Sequence, residues 1–372
     1  MNPDFAKAMR LSLQQTRASD PLAATRTIQQ ALAGRAKDAA RDTAGATPAR
    51  RLRSDDQIEA AEVLETTPPP RRTFRDVIRA QIQRPAGSDP RQGPAAPDMA
   101  VPEGASFRRA THATPHGSRA YYLYTPSPAA GPVNGVVMML HGCTQSAQDF
   151  ATGTAMNRHA EGHGLVVIYP EQPRGANQNL CWNWFRPSDQ SAGAGEPEIL
   201  ADLARTVTAR TGAPEDRIFV AGLSAGGAMA AILGRAYPQV FAAVGVHSGL
   251  PSGAASDMIS AFAAMRGERI RPAEGAGLPT IVFHGLSDRT VAPVNGRAVA
   301  GTIRNAVTRK NTVGGKSATV TTGTSPDGHA VALWEIAGGG HIWFGGDGRG
   351  SHTDPNGPDA SAEMVRFFLQ QP

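Results

Sequence analysis

The segment Phe219-Val220-Ala221-Gly222-Leu223-Ser224-Ala225-Gly226-Gly227 follows the pattern Gly-x-Ser-x-Gly. The largely apolar residues 217–221 predict a buried strand before the serine, and residues 228–237 predict a helix after it. A serine on such a strand-to-helix turn projects its hydroxyl above a parallel sheet. The two flanking glycines let strand and helix approach closely, and the N-terminus of the helix favours an anion beside the serine. The segment therefore predicts that Ser224 is a nucleophile; the alternative is an ordinary serine in a glycine-rich turn.

A serine nucleophile needs a histidine base and an acid that orients the histidine. In an α/β-hydrolase the acid follows the serine in the chain, and the histidine follows the acid. Residues 278–285 predict a buried strand beyond Ser224, and Asp288 lies in the loop directly after it. Because active sites gather at the carboxyl ends of parallel strands, Asp288 is the predicted acid. The alternative is an aspartate that caps its own turn.

Five histidines follow Ser224 and are candidates for the base: His247, His284, His329, His341 and His352. His341 is the predicted base, because three glycines separate it from a predicted strand and such a loop can turn the ring back over the sheet. His284 precedes the acid, which is the wrong order, and is the alternative. We expect His247 to line the site and His352 to be solvated.

The tetrahedral intermediate of acyl transfer requires backbone N–H donors. One is predicted at Ala225, the residue after the nucleophile. The second is predicted where the apolar residues 136–140 lead into a turn at His141-Gly142. We assign it to the N–H of Cys143, with that of Thr144 as the alternative.

Strands and helices alternate from about residue 105 onward. The predicted strands are Ala120–Tyr124, Gly135–Leu140, Leu165–Tyr169, Ile218–Ala221, Ala243–His247, Thr280–His284 and Ala330–Ile336. The predicted helices are Ala147–Gly162, Glu196–Thr211, Ala225–Tyr237, Gly296–Asn305 and Ala360–Gln370. This pattern predicts an α/β-hydrolase fold with a mostly parallel, doubly wound sheet in a catalytic domain at 105–372. Before it we expect a partly helical extension, with a helical hairpin at 1–34 and a low-complexity, mostly disordered linker at 35–104.

The net charge of +5 is concentrated near the N-terminus. Residues 1–100 contain 16 Lys+Arg and 12 Asp+Glu, a balance of +4 that leaves +1 for the rest. The predicted catalytic domain is thus nearly neutral, and we expect no nucleic-acid binding. The basic residues 1–34 are candidates for contact with a polymer granule or an anionic surface, and the alternative is a solvated tail.

The sequence gives no sign of a membrane span, a secretory signal or a metal site. No stretch reaches about 18 apolar residues, so no membrane span is predicted. Residues 1–20 lack the apolar core of a secretory signal, which predicts a cytoplasmic protein, with an extracellular one as the alternative. The spacings of His and Cys match no zinc pattern, and the predicted chemistry requires no metal and no organic cofactor.

Four motifs together resemble those of one family: Leu140-His141-Gly142-Cys143-Thr144-Gln145, Cys181-Trp182-Asn183-Trp184-Phe185, Gly222-Leu223-Ser224-Ala225-Gly226-Gly227 and Gly339-Gly340-His341. They are similar to motifs of the short-chain polyhydroxyalkanoate, or poly(3-hydroxybutyrate), depolymerase esterases, over about residues 105–370. The resemblance implies a serine esterase that forms an acyl-enzyme through Ser224, Asp288 and His341, and whose substrate is poly(3-hydroxybutyrate) or its oligomers. Because relatives include feruloyl and acetylxylan esterases, such esters or small esters are the alternative substrates. A more remote alternative is a non-catalytic scaffold that binds granules.

The resemblance also suggests a disulfide between Cys143 and Cys181. The alternative is two free thiols, as in a reducing cytosol. The residues predicted to bind substrate are Trp182, Asn183, Trp184 and Trp343. We expect the tryptophans to build an apolar pocket and the asparagine to orient a carbonyl group, and the alternative for the aromatic side chains is core packing.

Overall fold

The computed structural model describes residues 100–371, except 269 and 271–276. The predicted hairpin at 1–34 and residues 35–99 of the predicted linker lie outside the described residues. Two short 3₁₀ turns, Pro128–Ala130 and Pro187–Asp189, accompany the strands and α-helices of the described part.

The strands are β1 (Ser106–Thr114), β2 (Gly117–Thr125), β3 (Gly135–Leu140), β4 (Leu165–Pro170), β5 (Ile218–Leu223), β6 (Ala243–His247), β7 (Thr280–Gly285), β8 (Arg304–Val313), β9 (Lys316–Thr324), β10 (Ala330–Ile336), β11 (Trp343–Phe344) and β12 (Thr353–Asp354). The helices are α1 (Ala147–Thr154), α2 (Met156–His163), α3 (Gly195–Thr211), α4 (Ala225–Ala236), α5 (Met258–Met265), α6 (Val294–Ala300) and α7 (Ala360–Leu369). In the part of the chain that the structure describes, no helix has the length and apolar content needed to cross a bilayer.

The central sheet is mixed, with a parallel middle and antiparallel edges. Its strand order is β1-β2-β4-β3-β5-β6-β7-β10-β9-β8. Neighbours from β4 to β10 in this order run parallel. The pairs β1–β2, β2–β4, β10–β9 and β9–β8 are antiparallel, and β11 pairs with β12 apart from the main sheet. The predicted mostly parallel, doubly wound sheet is confirmed.

The sheet is covered on both faces. Val136 and Met138 of β3 pack with α3 and α4 on one face. Val137 and Met139 of the same strand pack with α1, α2 and α7 on the other. Strands buried on both faces appear in a sequence as continuous apolar runs, which is why the central strands were predictable.

Two predicted helices differ from the structure. The predicted helix Ala147–Gly162 is two helices, because Ala155 has a left-handed backbone with φ of 50°. The predicted helix Gly296–Asn305 ends at Ala300, and β8 begins at Arg304. Strands β1, β8, β9, β11 and β12 and helix α5 were not predicted. All ten residues of β8 are exposed, so it carries no apolar alternation.

Glycines bring three elements into backbone contact near the top of the sheet. A Cβ on Gly226 would lie 2.0 Å from the carbonyl oxygen of Leu140 at the end of β3, and a Cβ on Gly222 would lie 2.4 Å from the Gly226 carbonyl carbon. Only glycine allows β5, α4 and β3 to pack this closely. The turn at Ser224 is thereby placed beside the turn that follows β3.

Candidate active site

Ser224 occupies the tight turn between β5 and α4. Its φ of 57° and ψ of −118° are unusual for a residue with a side chain, and such strained backbone clusters at functional sites. The turn is held because the Ser224 N–H donates to the carbonyl oxygen of His247 at 2.9 Å and the Ser224 carbonyl accepts from the N–H of Ala228 at 2.9 Å. The serine is therefore presented at the N-terminus of α4, as the sequence pattern predicts.

Asp288 and His341 form a hydrogen-bonded pair. The Nδ1 of His341 donates to Oδ2 of Asp288 at 2.7 Å, and the two side chains are 12% and 0% exposed. The other oxygen, Oδ1, accepts from the N–H groups of Thr290 and Val291, both at 2.9 Å. Both sequence interpretations of Asp288 thus describe real contacts: one oxygen caps the turn and the other holds the histidine.

The charge state of Asp288 follows from these contacts. Burial alone would raise the pKa of the carboxyl group, but the hydrogen bond and charge of His341, together with the N–H of Val291, lower that pKa below its ordinary value. An ionised carboxylate accepts hydrogen bonds only, so His341 carries its proton on Nδ1 and leaves Nε2 free as a base.

A glycine loop places His341 over the acid. The N–H of Ser287 donates to the carbonyl oxygen of Gly339 at 2.8 Å, and a Cβ on Gly285 would lie 2.3 Å from that same oxygen. The loop between β10 and His341 therefore packs directly on the end of β7. Among the hydrogen bonds of the described residues, none joins the Ser224 hydroxyl to His341.

The turn after β3 lies close to Ser224. A Cβ on Gly142 would be 3.6 Å from the Cβ of Ser224. The Thr144 N–H donates to the carbonyl oxygen of Asn179 at 2.8 Å, so it is not free to bind an oxyanion. The N–H groups of Cys143 and Ala225 have no hydrogen-bond acceptor within the described part of the chain, which favours the pair of donors predicted from the sequence over the alternative at Thr144.

Cys143 is joined to Cys181 by a disulfide between segments 38 residues apart. Since one partner is the candidate donor residue itself, the bridge ties the turn after β3 to the segment 181–185. His141 braces the same turn, because its Nδ1 donates to the Gly142 carbonyl at 2.8 Å and its Nε2 accepts from the N–H of Gln172 at 3.2 Å.

The four residues predicted to bind substrate lie in the interior. Trp182 and Trp343 are 0% exposed, Asn183 is 2% exposed and Trp184 is 6% exposed. As placed, they offer a substrate almost no surface. The binding role stays a prediction, and the buried positions of the three tryptophans fit the alternative of core packing.

Asn183 is held by a buried carboxylate that the sequence analysis missed. Glu196, at the start of α3, accepts from the Asn183 N–H at 2.7 Å and from its Nδ2 at 2.6 Å. It also accepts from Arg119 at 3.2 Å and Gln172 at 2.5 Å, and burial raises the pKa of its carboxyl group. An acidic residue in the first turn of a helix usually faces solvent, so nothing in the sequence signalled this contact.

His247 does not line the site surface as expected, since it is 0% exposed. Its ring stacks on Trp343 with centroids 4.8 Å apart, and its Nε2 accepts from the N–H of Phe344 at 3.2 Å. With its carbonyl bonded to Ser224, this residue connects the nucleophile turn to the segment after His341. His284, the alternative base, is 1% exposed and its Nε2 donates to the Val291 carbonyl at 2.9 Å, a local role.

His352 is not freely solvated as expected. It is part-buried, and burial together with the nearby charge of His341 lowers its pKa. Its carbonyl oxygen accepts from the N–H of Trp343 at 2.7 Å. The loop that carries His352 is therefore a neighbour of the site, although its polar, glycine-rich sequence is typical of an exposed loop.

We expect acid to destabilise the fold, because three histidines are buried. Burial lowers the pKa of His141 to about 4, that of His247 well below its ordinary value of 6.5, and that of His284 in the same direction. Their contribution to stability is complete above pH 6.5 and is lost as pH falls below 6.5, down to about 4 for His141, because the unfolded chain binds protons that the folded state excludes. We expect urea unfolding to show a loss on the order of 1 kcal/mol per buried histidine per pH unit. As a control, His116→Gln at an exposed position should leave the change of unfolding free energy with pH unaltered. Equal free energies of unfolding at pH 7.5 and pH 5 would contradict the prediction.

Comparison with known proteins identifies the family of the chain. A family model described as "Esterase PHB depolymerase" matches residues 119–322. Poly(3-hydroxyalkanoate) depolymerase C of Paucimonas lemoignei is 35% identical over 195 residues, which are 48% of this chain and 46% of that protein. A probable acetylxylan esterase A of Aspergillus fumigatus is 35% identical over 136 residues, 36% of this chain and 35% of that protein. The chain thus spans less than half the length of either of these relatives.

A solved structure supports the fold. The acetyl xylan esterase from Aspergillus awamori matches with a TM-score of 0.51 and 21% identity, covering 63% of this chain and 94% of that one. The predicted α/β-hydrolase fold is confirmed by this similarity. Since the family model covers more than half of the sequence and includes the turn at Ser224 and the loop at Asp288, the chain belongs to the esterase family of PHB depolymerases.

Proposed function

We propose that this protein is a serine esterase that hydrolyses carboxylic esters through an acyl-enzyme intermediate. The observation that carries the proposal is the 2.7 Å hydrogen bond between His341 and buried Asp288, on the same edge of the sheet as the strained turn of Ser224. The three residues follow each other in the chain in the order of an α/β-hydrolase triad. The family supports ester hydrolysis as the reaction.

The first half of the reaction acylates the serine. Nε2 of His341 takes the proton of the Ser224 hydroxyl while Oγ attacks the ester carbonyl carbon, and the carbonyl π electrons move to the oxygen. The N–H groups of Cys143 and Ala225 then stabilise the oxyanion. When the intermediate collapses, the C–O bond to the alcohol breaks and protonated His341 gives its proton to the leaving oxygen.

The second half releases the acid. His341 removes a proton from a water molecule as that water attacks the acyl carbon, and the collapse of the second intermediate returns the proton to Oγ of Ser224. Throughout the cycle Asp288 holds the Nδ1 proton and offsets the charge of the imidazolium. The buried, ionised state of this carboxylate supports the role.

We further propose poly(3-hydroxybutyrate) or its oligomers as the substrate. The description of the family and the name of the Paucimonas relative support this choice. An acetylxylan-type ester is the second candidate, because several curated relatives carry that name at 30–35% identity. Feruloyl and small carboxylic esters complete the range of alternatives implied by the sequence motifs.

A panel of substrates distinguishes these candidates. Purified protein is assayed on hydroxybutyrate oligomers, acetylated xylan, methyl ferulate and p-nitrophenyl esters, and a fluorophosphonate probe measures covalent reaction at Ser224. We expect labelling, turnover of p-nitrophenyl esters, and the highest kcat/KM among natural esters for the oligomers. Turnover of acetylated xylan or methyl ferulate alone would exclude the polyester substrate, and folded protein that resists the probe would exclude the serine mechanism.

The disulfide helps to choose between a cytoplasmic and an extracellular location for the protein. Disulfides persist in oxidising environments and are rare in the cytosol. The Cys143–Cys181 bridge therefore favours the extracellular alternative over the cytoplasmic expectation.

A further inference from the structure

Three polar residues connect the turn after β3 to the loop after His341, two of them buried and the third, Ser351, exposed. Gln145 is 2% exposed and Asp149 is 7% exposed. Both are hydrogen-bonded to Ser351, which lies more than 200 residues away in the chain. We call Gln145, Asp149 and Ser351 the clasp.

One end of the clasp holds the backbone of the candidate oxyanion turn. Oε1 of Gln145 accepts from the Gly142 N–H at 2.9 Å. The Gln145 N–H donates back to the Gly142 carbonyl at 3.4 Å, which closes the turn around Cys143 and Thr144. Because the Gly142 N–H is bonded in this way, the adjacent Cys143 N–H is the donor left unpaired in this part of the described chain.

The other end of the clasp holds the loop that follows His341. Nε2 of Gln145 donates to the Ser351 carbonyl at 3.0 Å and to Oδ2 of Asp149 at 3.1 Å. Asp149 in turn accepts from the Ser351 N–H at 2.8 Å and from the Ser351 hydroxyl. The next residue, His352, accepts from the N–H of Trp343, two residues after the base.

Glycine contacts bring the two sides together. A Cβ on Gly350 would lie 2.2 Å from the Cα of Gly153 in α1, so the loop before Ser351 packs backbone to backbone on the helix that carries Asp149. A close approach of this kind leaves little freedom for either segment. The clasp is thus a short, rigid connection between the turn after β3 and the loop after His341.

We propose that the clasp positions the Cys143 N–H for the developing oxyanion and fixes the position of this N–H relative to His341. The inference rests on the proposed serine mechanism. An oxyanion donor acts through its fixed orientation, so a small displacement costs rate without weakening substrate binding. The disulfide holds the Cys143 side chain, whereas the clasp holds the backbone next to it, so the two tethers are independent. Gln145 is a positioning residue, since its buried side chain acts through the Gly142 N–H.

The test uses two substitutions at position 145 of the full chain. Gln145→Met keeps the length of the side chain and removes both polar groups. Gln145→Glu keeps an acceptor for the Gly142 N–H but replaces the donor to Asp149 and Ser351 with a second carboxylate. Gln239→Met, at an exposed position beyond α4, is the matched control. Each variant is assayed on a soluble p-nitrophenyl ester well below its melting temperature, and its affinity for an alkyl trifluoromethyl ketone, whose serine adduct carries the oxyanion, is measured.

For Gln145→Met we expect kcat to fall by roughly 10- to 100-fold with KM within about twofold, and the affinity for the ketone to fall by a similar factor. Gln145→Glu should lose at least as much kcat and ketone affinity, because its carboxylate repels that of Asp149 and cannot donate to Ser351, and Gln239→Met should match the unsubstituted protein. A lowered melting temperature with unchanged kcat and ketone affinity would overturn the proposal and leave the clasp as a stability element.

Two further variants keep the test decisive. If Gln145→Met does not fold, Ser351→Ala removes both hydrogen bonds that the Ser351 hydroxyl makes in the clasp, one with Asp149 and one with Gln145. A several-fold loss in both kcat and ketone affinity supports the proposal, and no loss overturns it. Ser224→Ala separates this inference from the proposed function. An active Ser224→Ala protein would refute the serine mechanism, whereas an inactive one beside normal Gln145 and Ser351 variants would refute the clasp alone.

Discussion

Ser224→Ala is expected to lower kcat/KM for a soluble ester by about 10⁴-fold or more. Without Oγ no acyl-enzyme forms, so only catalysis by the oxyanion donors and by substrate binding is left. Fold and stability should change little, because alanine keeps the Cβ and therefore the same strained φ of 57° at this turn. The measurement is steady-state hydrolysis of a p-nitrophenyl ester together with loss of the initial burst that reports acylation.

The control for this variant is Ser118→Ala, a serine-to-alanine change at an exposed position of β2. It should keep full activity and full reaction with a fluorophosphonate probe. If the Ser224→Ala protein retained activity within about tenfold of the original, the nucleophile would have to be another group, and the proposed mechanism would fail.

Much of the site was predictable because residues that follow parallel strands in the chain lie at the same edge of the sheet. The carboxyl ends of β5 and β7 lie on one edge of the sheet, so a serine after the first and an aspartate after the second are near each other whatever the helices between them do. The glycines before His341 predict a loop that can turn the histidine ring back over the sheet. The order and flanking residues of Ser224, Asp288 and His341 were therefore sufficient to predict these three residues from the sequence alone.

Other parts were unpredictable for equally physical reasons. Trp343 next to the base is consistent with a pocket wall or with core packing, and only its 0% exposure decides where the side chain lies. Glu196 is acidic and begins a helix, which normally indicates solvent, yet four donors surround it. Strand β8 has no apolar face to detect, and the break at Ala155 involves neither glycine nor proline. Such features depend on contacts between distant segments.

Asp288→Asn is expected to lower kcat by about 10⁴-fold, because it reverses the proton position of the base. Two backbone donors, at Thr290 and Val291, hold Oδ1. An asparagine that keeps its oxygen on those donors must turn its NH₂ toward His341. The ring then accepts at Nδ1 and carries its proton on Nε2, where it can no longer take the proton of Ser224. The measurement is kcat and KM on a soluble ester, with KM expected to change little.

The same position separates the two interpretations of the aspartate. If Asp288 served only as a turn cap, asparagine would preserve the cap and most of the activity, whereas Asp288→Ala would lose both. If it orients the base, both variants lose the activity, and only alanine also lowers the melting temperature through the two orphaned N–H groups. Asp257→Asn, at an exposed helix cap where asparagine caps equally well, is the matched control and should be neutral. A near-normal kcat for Asp288→Asn would therefore mean that other groups orient His341, and would remove the acid from the proposed triad.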